Sequence, residues 1–392
     1  MRHLWDTVVP EFIIHSSILP SQLTNAQPSG LGRRRLLQLS AGLVSGLALS
    51  GCGWRLAEVH STEAAKGNPD QLFLYSWTSY IDAKLLEEFT AQTGIQAKTD
   101  IYNSNEMMLA TFQAGKGAIY SIIYPSDYAV AQMIDTGLLS ELDRSRINGL
   151  ENILPKFQDS VYDPGNRHSV PVSWGTTGIV YNQEKVDPPP TDWNYLWQHK
   201  EKLSRRITLL DDMREVMGAT LRSLGYSYNS TNPREIEKAY AALAELKPTL
   251  ASFTSDAWRD QLLAGDLWLV MGYSSDAVAV MNEDSRINYV IPQSGTSLWS
   301  DTMVIPRTAP NANAAYAWIN YMLQPAVAAQ VAERLFFATP NQAAFDQLPL
   351  SLQQNTRMFP PPEVLANCER IEPLERSILE IYERYWTKLT SG

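Results

Sequence analysis

The sequence predicts an α/β protein with largely parallel sheets, and three observations support this prediction. Beyond residue 70, short apolar runs alternate with segments of helical periodicity, as they do in α/β architectures. Several of the helical segments carry start and stop signals. Clusters of tyrosine, tryptophan and carboxylate residues stand next to the apolar runs, where the loops of a parallel sheet bind ligands.

The first part of the fold is predicted to contain three strands and a well-marked helix. A buried strand spans residues 72–75, and Asp82 then stands where a helix N-cap is expected. Gly94 ends this helix, because glycine readily adopts the left-handed conformation found at helix C-termini. Further strands are predicted over residues 95–102 and 121–124.

The remaining elements follow the same alternation. A helix is predicted to begin at Asn232, because this N-cap residue is followed by Pro233 in the first turn and by Glu235 three positions on. The other predicted elements are extended chain at 170–172 and 178–181, strands at 207–210, 267–271, 287–291 and 303–305, and helices at 313–335 and 375–389.

The N-terminal region carries export signals. Three arginines precede an apolar stretch that is too short and too interrupted by glycine for a convincing membrane span. The stretch ends in Leu49-Ser50-Gly51-Cys52, which is typical of a bacterial lipobox, and residues 32–37 resemble a twin-arginine signal. We therefore expect an export signal with an upstream extension over 1–51, a lipidated Cys52 and a tether over 52–70. The alternative is an ordinary secretory signal with a chance cysteine.

Composition and missing motifs argue against several functional classes. A net charge of −10 argues against a nucleic-acid binder, which needs a basic surface. The sequence contains no phosphate-binding loop, no dinucleotide glycine fingerprint, no nucleophile elbow and no histidine pair at metal-ligand spacing. We therefore expect no cofactor, no metal and no enzymatic activity. An acid–base pair formed by Asp212 and Asp301 is the alternative.

Carboxylates mark the turn after the predicted strand at 207–210. Asp212 and Glu215 have the spacing of a helix capping box, in which each side chain bonds to a backbone N–H group. The same carboxylates could hold a cation, because a helix N-terminus also favours the ionised form of a carboxylate. The two interpretations are compatible with each other.

Aromatic residues near the other strand ends indicate a site for an amine. Trp299 beside Asp301 suits a cation held between a carboxylate and a ring face, where each cation–π contact is worth about 0.5–2 kcal/mol. The other candidate wall residues, each of which could instead be an ordinary core or turn residue, are Trp77, Tyr80, Ser126, Tyr128, Tyr273 and Phe337.

Eight short motifs occur in a fixed order along residues 70–390. They are Tyr75-Ser76-Trp77-Thr78-x-Tyr80, Glu87-x-Phe89-x3-Thr93-Gly94-Ile95, Ser104-Asn105-Glu106, Pro125-Ser126-x-Tyr128, Trp174-Gly175-x-Thr177, Asp211-Asp212-x-Arg214-Glu215-Val216, Trp299-x-Asp301 and Thr339-Pro340-Asn341. In this order the motifs resemble those of the spermidine/putrescine-binding proteins of bacterial ABC importers, which belong to the extracellular solute-binding family. The resemblance is specific because the motifs span both halves of the chain.

The resemblance implies a two-lobe periplasmic-binding-protein fold of type II, with a ligand cleft between lobes that close on the ligand. Lobe one would comprise 71–175 plus 300–345, and lobe two 176–299 plus 346–390. Hinge strands would lie near 174–177 and 298–302 and near residue 345. The protein would be a periplasmic monomer, attached to the membrane only through its lipid anchor, that delivers a polyamine to ABC permease subunits in the inner membrane.

Residue roles follow from the resemblance in the same way. The side chains that would surround the methylene chain are Trp77, Tyr80, Tyr128 and Trp299. Those that would pair with ammonium groups are Asp212, Glu215 and Asp301, and those that would hydrogen-bond to amine or water are Thr78, Ser126 and Ser255. The chain departs from the family pattern where Ser79 replaces a glutamate, Tyr273 a tryptophan and Phe337 a tyrosine. Glu372 or a neighbour would stand in for an expected glutamine.

These departures leave the exact polyamine open, spermidine and putrescine both being compatible with the motifs. The nearest alternative is a binder of putrescine only, or of another small cationic or polar solute. A second is an enzyme on the same two-lobe scaffold, and a third is a lipoprotein that senses the solute instead of transporting it.

Overall fold

A computed structural model describes residues 67–78 and 80–391 of the chain. The predictions for the export signal, for the lipidation of Cys52 and for most of the tether lie outside these residues, as does Ser79. Within the described part of the chain, no helix is both long enough and apolar enough to cross a membrane.

Nine strands of the described chain form one mixed sheet in the order β2-β1-β3-β9-β4-β7-β5-β6, and β8 pairs with β4 off this path. The strands are β1 (Gln71–Trp77), β2 (Gln96–Tyr102), β3 (Ile122–Ile123), β4 (Ser169–Asn182), β5 (Ile207–Leu209), β6 (Leu250–Phe253), β7 (Leu269–Tyr273), β8 (Ile287–Val290) and β9 (Leu298–Val304).

Helices connect these strands and cover the sheet. They are α1 (Ala83–Thr93), α2 (Asn105–Gln113), α3 (Asp127–Asp135), α4 (Tyr195–Gln198), α5 (Met213–Ser223), α6 (Pro233–Leu246), α7 (Trp258–Leu263), α8 (Ser274–Glu283), α9 (Ala312–Leu323), α10 (Pro325–Leu335), α11 (Gln342–Phe345), α12 (Leu350–Gln353), α13 (Pro362–Leu365) and α14 (Arg376–Thr390). Short 3-10 turns lie at Lys116–Ile119, Arg144–Arg146, Leu150–Asn152, Pro155–Phe157, Pro164–Asn166 and Lys247–Thr249.

The sheet has two parallel wings and an antiparallel centre. In the first wing β1 is parallel to β2 and β3, and in the second wing β5 is parallel to β6 and β7. The central strands β4 and β9 are antiparallel to each other, with Trp174 opposite Ser300 and Gly175 opposite Trp299. The predicted parallel α/β arrangement is therefore confirmed for each wing, and the strands β4 and β9 join the wings.

Side chains at the helix ends explain where several helices begin and stop. The Asp82 carboxylate accepts a 2.7 Å hydrogen bond from the Leu85 N–H at the start of α1, and Gly94 ends the helix at φ 74°. Asn232 caps α6 in the same way, since its Oδ1 accepts from the Arg234 N–H at 3.0 Å. Both predicted helix starts are confirmed.

The structure corrects four of the predicted elements. The helix expected over 313–335 is two helices, because Pro325 forces the preceding Gln324 out of the helical conformation. The two extended segments around Gly175 are one strand, β4. Trp299 and Asp301 do not precede a strand but lie within β9, which starts earlier than predicted. Strand β6 was not predicted, because its four residues lack a clear periodic pattern.

Two segments lie at predicted boundaries, one at the end of the tether near residue 70 and one at the lobe boundary near residue 345. Both contact the first wing. The side-chain amide of Asn311 donates to the backbone carbonyls of Asn68, Pro69 and Gln71, so the last residues of the predicted tether are bonded to the fold. After α11, Leu348 packs against alanines of α10 rather than against the second wing.

Candidate functional site

A cavity of about 730 Å³ of empty volume lies where the strand ends of the two wings meet. The cavity wall contains twelve of the residues predicted from the sequence to touch a ligand, namely Trp77, Thr78, Tyr80, Ser126, Tyr128, Asp212, Glu215, Ser255, Tyr273, Trp299, Asp301 and Phe337. The structure therefore brings together side chains that are up to 260 positions apart in the sequence, since the first is residue 77 and the last residue 337.

Strand topology accounts for this convergence. The loops after the parallel strands β1, β3, β5, β6 and β7 all contribute to the wall. In β9, Trp299 and Asp301 are two positions apart and therefore point to the same face of the sheet. Gly175 leaves room for the Trp299 ring, because a Cβ at this position would lie 2.3 Å from the indole.

Asp301 is held in a fixed orientation at the first-wing side of the cavity. Its carboxylate is 5% exposed, and its Oδ1 accepts a 2.6 Å hydrogen bond from the Ser126 hydroxyl. Its Oδ2 accepts from the Tyr80 hydroxyl, which also contacts the hydroxyl of Ser173 at 2.8 Å. Burial raises the pKa of Asp301 to about 6, and the two hydroxyl donors oppose this rise.

Asp212 caps helix α5, as predicted. Its Oδ1 accepts hydrogen bonds from the backbone N–H groups of Arg214 and Glu215 at 3.0 and 3.1 Å. Glu215, however, does not reach back to complete a capping box. Its carboxylate accepts instead from the hydroxyls of Ser297 and Tyr228, at 2.7 and 2.6 Å to Oε2. The prediction of a full capping box is therefore wrong, because these two hydroxyls compete for Glu215.

The charge state of these carboxylates also differs from expectation. The helix N-terminus was expected to keep Asp212 and Glu215 ionised, but burial raises the pKa of both side chains above the ordinary carboxyl range. The backbone N–H groups at Asp212 lower its pKa without outweighing burial. Asp212 further raises the pKa of Glu215 through charge repulsion. The positive charge of Arg214 lowers the pKa of Asp212 but does not outweigh burial either, and a bound ammonium group would favour the ionised forms further.

Aromatic side chains form the walls between the carboxylates. The ring of Tyr80 packs on Phe337 with centroids 4.2 Å apart, and Tyr273 meets Trp299 edge to face at 5.9 Å. Trp77 packs against Tyr102 at 4.6 Å, and Tyr102 also lines the cavity. Such faces attract cations and cover methylene groups.

The polar wall residues are tied to the loops that carry them. The Thr78 hydroxyl donates to Asn103 Oδ1 at 3.3 Å, and the Ser255 hydroxyl oxygen accepts from the Asp211 N–H at 3.1 Å. Glu372 does not reach the cavity: its side chain is exposed, and Ile371 lines the wall instead. Of Glu372 and its neighbours, the residue that lines the cavity is thus the apolar Ile371, which offers no polar side-chain contact.

Sequence reasoning assigned no role to several charged residues that surround these carboxylates. Arg214 is 1% exposed, and its Nη2 donates to Asn229 Oδ1 and to the Glu372 carbonyl. Its positive charge lowers the pKa of Asp212 and that of Glu106, which accepts from the Tyr128 hydroxyl. Arg214 and Glu106 both belong to the motifs that resemble the polyamine-binding family. This membership was the feature of the sequence that could have pointed to a role at the site.

Asp127 is a further wall carboxylate that the sequence reasoning passed over. It occupies the unassigned position between Ser126 and Tyr128, is 1% exposed and pairs with Arg370 at 3.4 Å. Burial raises the pKa of Asp127 to about 7, although Arg370 opposes this rise. The ion pair joins helix α3 of the first wing to the segment that precedes α14.

The described residues contain no group of three or more His, Cys, Asp or Glu side chains arranged to hold a metal ion. The cavity instead combines buried carboxylates at separate positions with aromatic faces between them. This arrangement suits an elongated ligand with a positive charge at each end and an apolar centre.

Comparisons with known proteins agree with this geometry. A family model for bacterial extracellular solute-binding proteins matches residues 84–360. The spermidine/putrescine-binding periplasmic protein of Escherichia coli (strain K12) is 37% identical over 322 residues, which cover 82% of this chain and 92% of that protein. The putrescine/cadaverine-binding protein of Pseudomonas aeruginosa is 31% identical over 331 residues, which cover 82% and 93%.

Solved structures place the fold in the same group. The spermidine/putrescine ABC transporter substrate-binding protein of Streptococcus pneumoniae has 37% sequence identity and a TM-score of 0.69, and the match covers 82% of this chain and 98% of that one. The predicted periplasmic-binding-protein fold is thus confirmed. The relatives are binding proteins for transport, in line with the prediction that the protein is not an enzyme. The chain belongs to the bacterial extracellular solute-binding protein family.

Proposed function

We propose that this protein captures a polyamine in its cavity and delivers it to an ABC importer. The observation that carries the proposal is the presence of three buried carboxylates, Asp212, Glu215 and Asp301, in one aromatic-walled cavity. Each buried carboxylate without a cationic partner is unfavourable, and an ammonium group relieves that penalty. Relatives with printed names that include spermidine, putrescine and cadaverine support the same ligand class.

The two ends of the ligand would be bound by carboxylates at different parts of the sheet. Asp301 lies on β9 beside Ser126 of the first wing, whereas Asp212 and Glu215 belong to α5 of the second wing. A monoamine would leave one carboxylate unpaired, so the cavity selects ligands with at least two positive charges. A ligand held at both ends also stabilises the state in which the wings are close together.

Closure would take place about the strands β4 and β9. We propose that each wing, with its helices, is one lobe and that the pairs Trp174–Ser300 and Gly175–Trp299 lie at the hinge. Because Leu348 packs on α10, we assign residues 346–360 to the first lobe instead of the second. The ligand would then select the closed arrangement because only that arrangement presents both sets of carboxylates.

The cellular setting follows from the relatives and from the N-terminal motifs. We propose a periplasmic protein that is exported by a twin-arginine signal, acylated at Cys52 and active as a monomer toward permease subunits of the inner membrane. Metabolic labelling with a clickable fatty acid tests the anchor: the wild-type chain should be labelled, and a Cys52→Ser variant should not. Labelling of that variant at an equal level would refute acylation at this residue.

Calorimetry tests the ligand. The purified protein, refolded free of any co-purified amine, is titrated with putrescine, spermidine and spermine and, as a control for the second charge, with butylamine. We expect binding of at least one polyamine at submillimolar concentration and none of butylamine. The absence of heat and of thermal stabilisation with all three polyamines would refute the proposal. Mass spectrometry of the amine after incubation tests the enzymatic alternative, which requires a covalent change.

A further inference from the structure

One basic side chain lies among the acidic side chains of the cavity wall. Arg259 of α7 pairs with Asp256, three residues before it, and its Nη1 pairs with Oδ1 of Asp276 at 2.5 Å. All three residues line the cavity. The side chains of Arg259 and Asp276 are only 20% and 17% exposed, whereas Asp256 is 50% exposed.

Strand order locates this ion-paired cluster within the cavity. Asp256 and Arg259 follow β6, the last strand of the second wing, and Asp276 lies in the first turn of α8, directly after β7. Because β5 lies between β6 and β7, the cluster joins the two strands that flank the strand before Asp212. Asp301 lies on β9, which is separated from these strands by β4. Arg259 therefore lies on the second-wing side of the cavity, whereas Asp301 lies on a central strand.

We infer that Arg259 is a built-in cation that limits the length of the ligand, because it occupies the carboxylate pair that would otherwise bind a further ammonium group. This inference rests on the proposed polyamine-binding function and concerns its specificity. The cavity would accept a ligand whose ammonium groups reach Asp301 and the Asp212–Glu215 pair. A longer tetra-amine would need a third anionic position, and that position already holds a guanidinium group.

Charge and burial support this role. Burial raises the pKa of Asp276, and the adjacent Arg259 guanidinium opposes this rise, which favours the charged form of the carboxylate. A guanidinium held by two carboxylates loses little entropy on pairing and is not easily displaced by a mobile ammonium. An Arg259→Met substitution would leave Asp276 buried beside an unoccupied volume, which a ligand ammonium could then fill.

The decisive measurement is the ratio of the dissociation constants for spermine and putrescine. In Arg259→Met we expect the affinity for spermine to rise relative to that for putrescine by at least tenfold. Arg259→Lys keeps a cation at the same position and should restore a ratio within threefold of wild type. Circular dichroism and thermal melts of each variant verify that it is folded before titration.

Two control variants separate the proposed effect, which is the removal of a cation from Asp276, from a change in net charge and from a gain in free volume. Arg286→Met removes an equal charge from an exposed ion pair with Asp284, outside the cavity, and should not alter the ratio. Arg259→Met/Asp276→Asn has the wild-type net charge and keeps only the more exposed carboxylate of Asp256 at this position. We expect the ratio in this double variant to return toward wild type.

Two results would overturn the inference: an unchanged ratio in Arg259→Met, or an equal rise in the double variant, which would indicate free volume instead of charge. If Arg259→Met does not fold, Arg259→Gln provides the same test with a polar side chain. Failure of the wild-type protein to bind any polyamine would instead refute the proposed function, so the two failures are distinguishable.

Discussion

The hydroxyl of Ser126 donates a 2.6 Å hydrogen bond to Oδ1 of Asp301, and so connects the turn after β3 to the central strand β9. Tyr80 donates to the other carboxylate oxygen. Both oxygens of Asp301 are thereby oriented before any ligand arrives, which reduces the ordering that binding requires. Hydroxyl donors supply no charge, so a net negative charge stays available for an ammonium group.

Replacing Asp301 by asparagine should weaken polyamine binding by about 2–5 kcal/mol, because the substitution removes a buried charge that pairs with an ammonium. Isothermal titration calorimetry measures this change. The matched control is Asp135→Asn, which removes an equal charge from an exposed position at the end of α3. Equal effects of the two substitutions would mean that long-range attraction, and not a local pair, accounts for the role of Asp301.

Polyamine affinity should fall as the pH drops from about 8, the pKa to which burial raises Glu215, to below about 6. Burial raises the pKa of Asp301 to about 6, so the carboxyl group of the ligand-free protein takes up a proton below that pH. An ammonium group pairs only with the ionised form, and binding must then release the proton. Titrations in buffers of different ionisation enthalpy, between pH 5 and 8, report the released protons. An affinity that is constant over this range would contradict the prediction.

Asp301→Asn should stabilise the ligand-free protein at pH 8 by about 1–2 kcal/mol while it weakens binding. The fold favours the neutral form of this carboxyl, since its pKa in the folded state is raised. The contribution of the Asp301 carboxyl group to the free energy of unfolding is therefore fully present below its unfolded pKa of about 4. This contribution is lost as the pH rises through about 6. Chemical denaturation of the ligand-free wild type and variant at pH 5 and pH 8 tests this prediction. A variant that is less stable than the wild type at pH 8 would contradict it.

Gly175→Ala should impair binding through Trp299. The added methyl would lie 2.3 Å from the indole and 2.5 Å from the Ser274 hydroxyl oxygen, so the ring must shift. We expect a loss of stability of about 1–3 kcal/mol and weaker polyamine binding. Denaturation curves and calorimetry measure the two effects separately. A folded variant with wild-type affinity would show that the position of Trp299 does not matter for the ligand.

Local sequence signals predicted the parts of the fold that depend on local chemistry. The N-caps at Asp82 and Asn232 are examples, because a capping bond involves residues within one turn of each other. The break at Pro325 was missed although proline marks it, since the apolar pattern continues on both sides. The early start of β9 depends on pairing with β4, which is a contact between distant segments and leaves no local pattern.

The candidate site was predicted well where motifs carried it and poorly where tertiary contacts decide it. Asp212 could be recognised from its position before a helix, but the partners of Glu215 could not, because Ser297 lies 82 positions away. The pairing of Arg259 with Asp276 likewise depends on the order of β6, β5 and β7 in the sheet. Such contacts follow from topology, which short sequence patterns do not specify.

Asn311 donates hydrogen bonds to the backbone carbonyls of Asn68, Pro69 and Gln71, and this contact distinguishes the first wing from the second. The first residues of the described chain are thus bonded to the first wing. The second wing is connected to them only through the rest of the molecule. A motion of the second wing relative to the first would therefore leave the contacts of residues 68–71 with Asn311 unchanged.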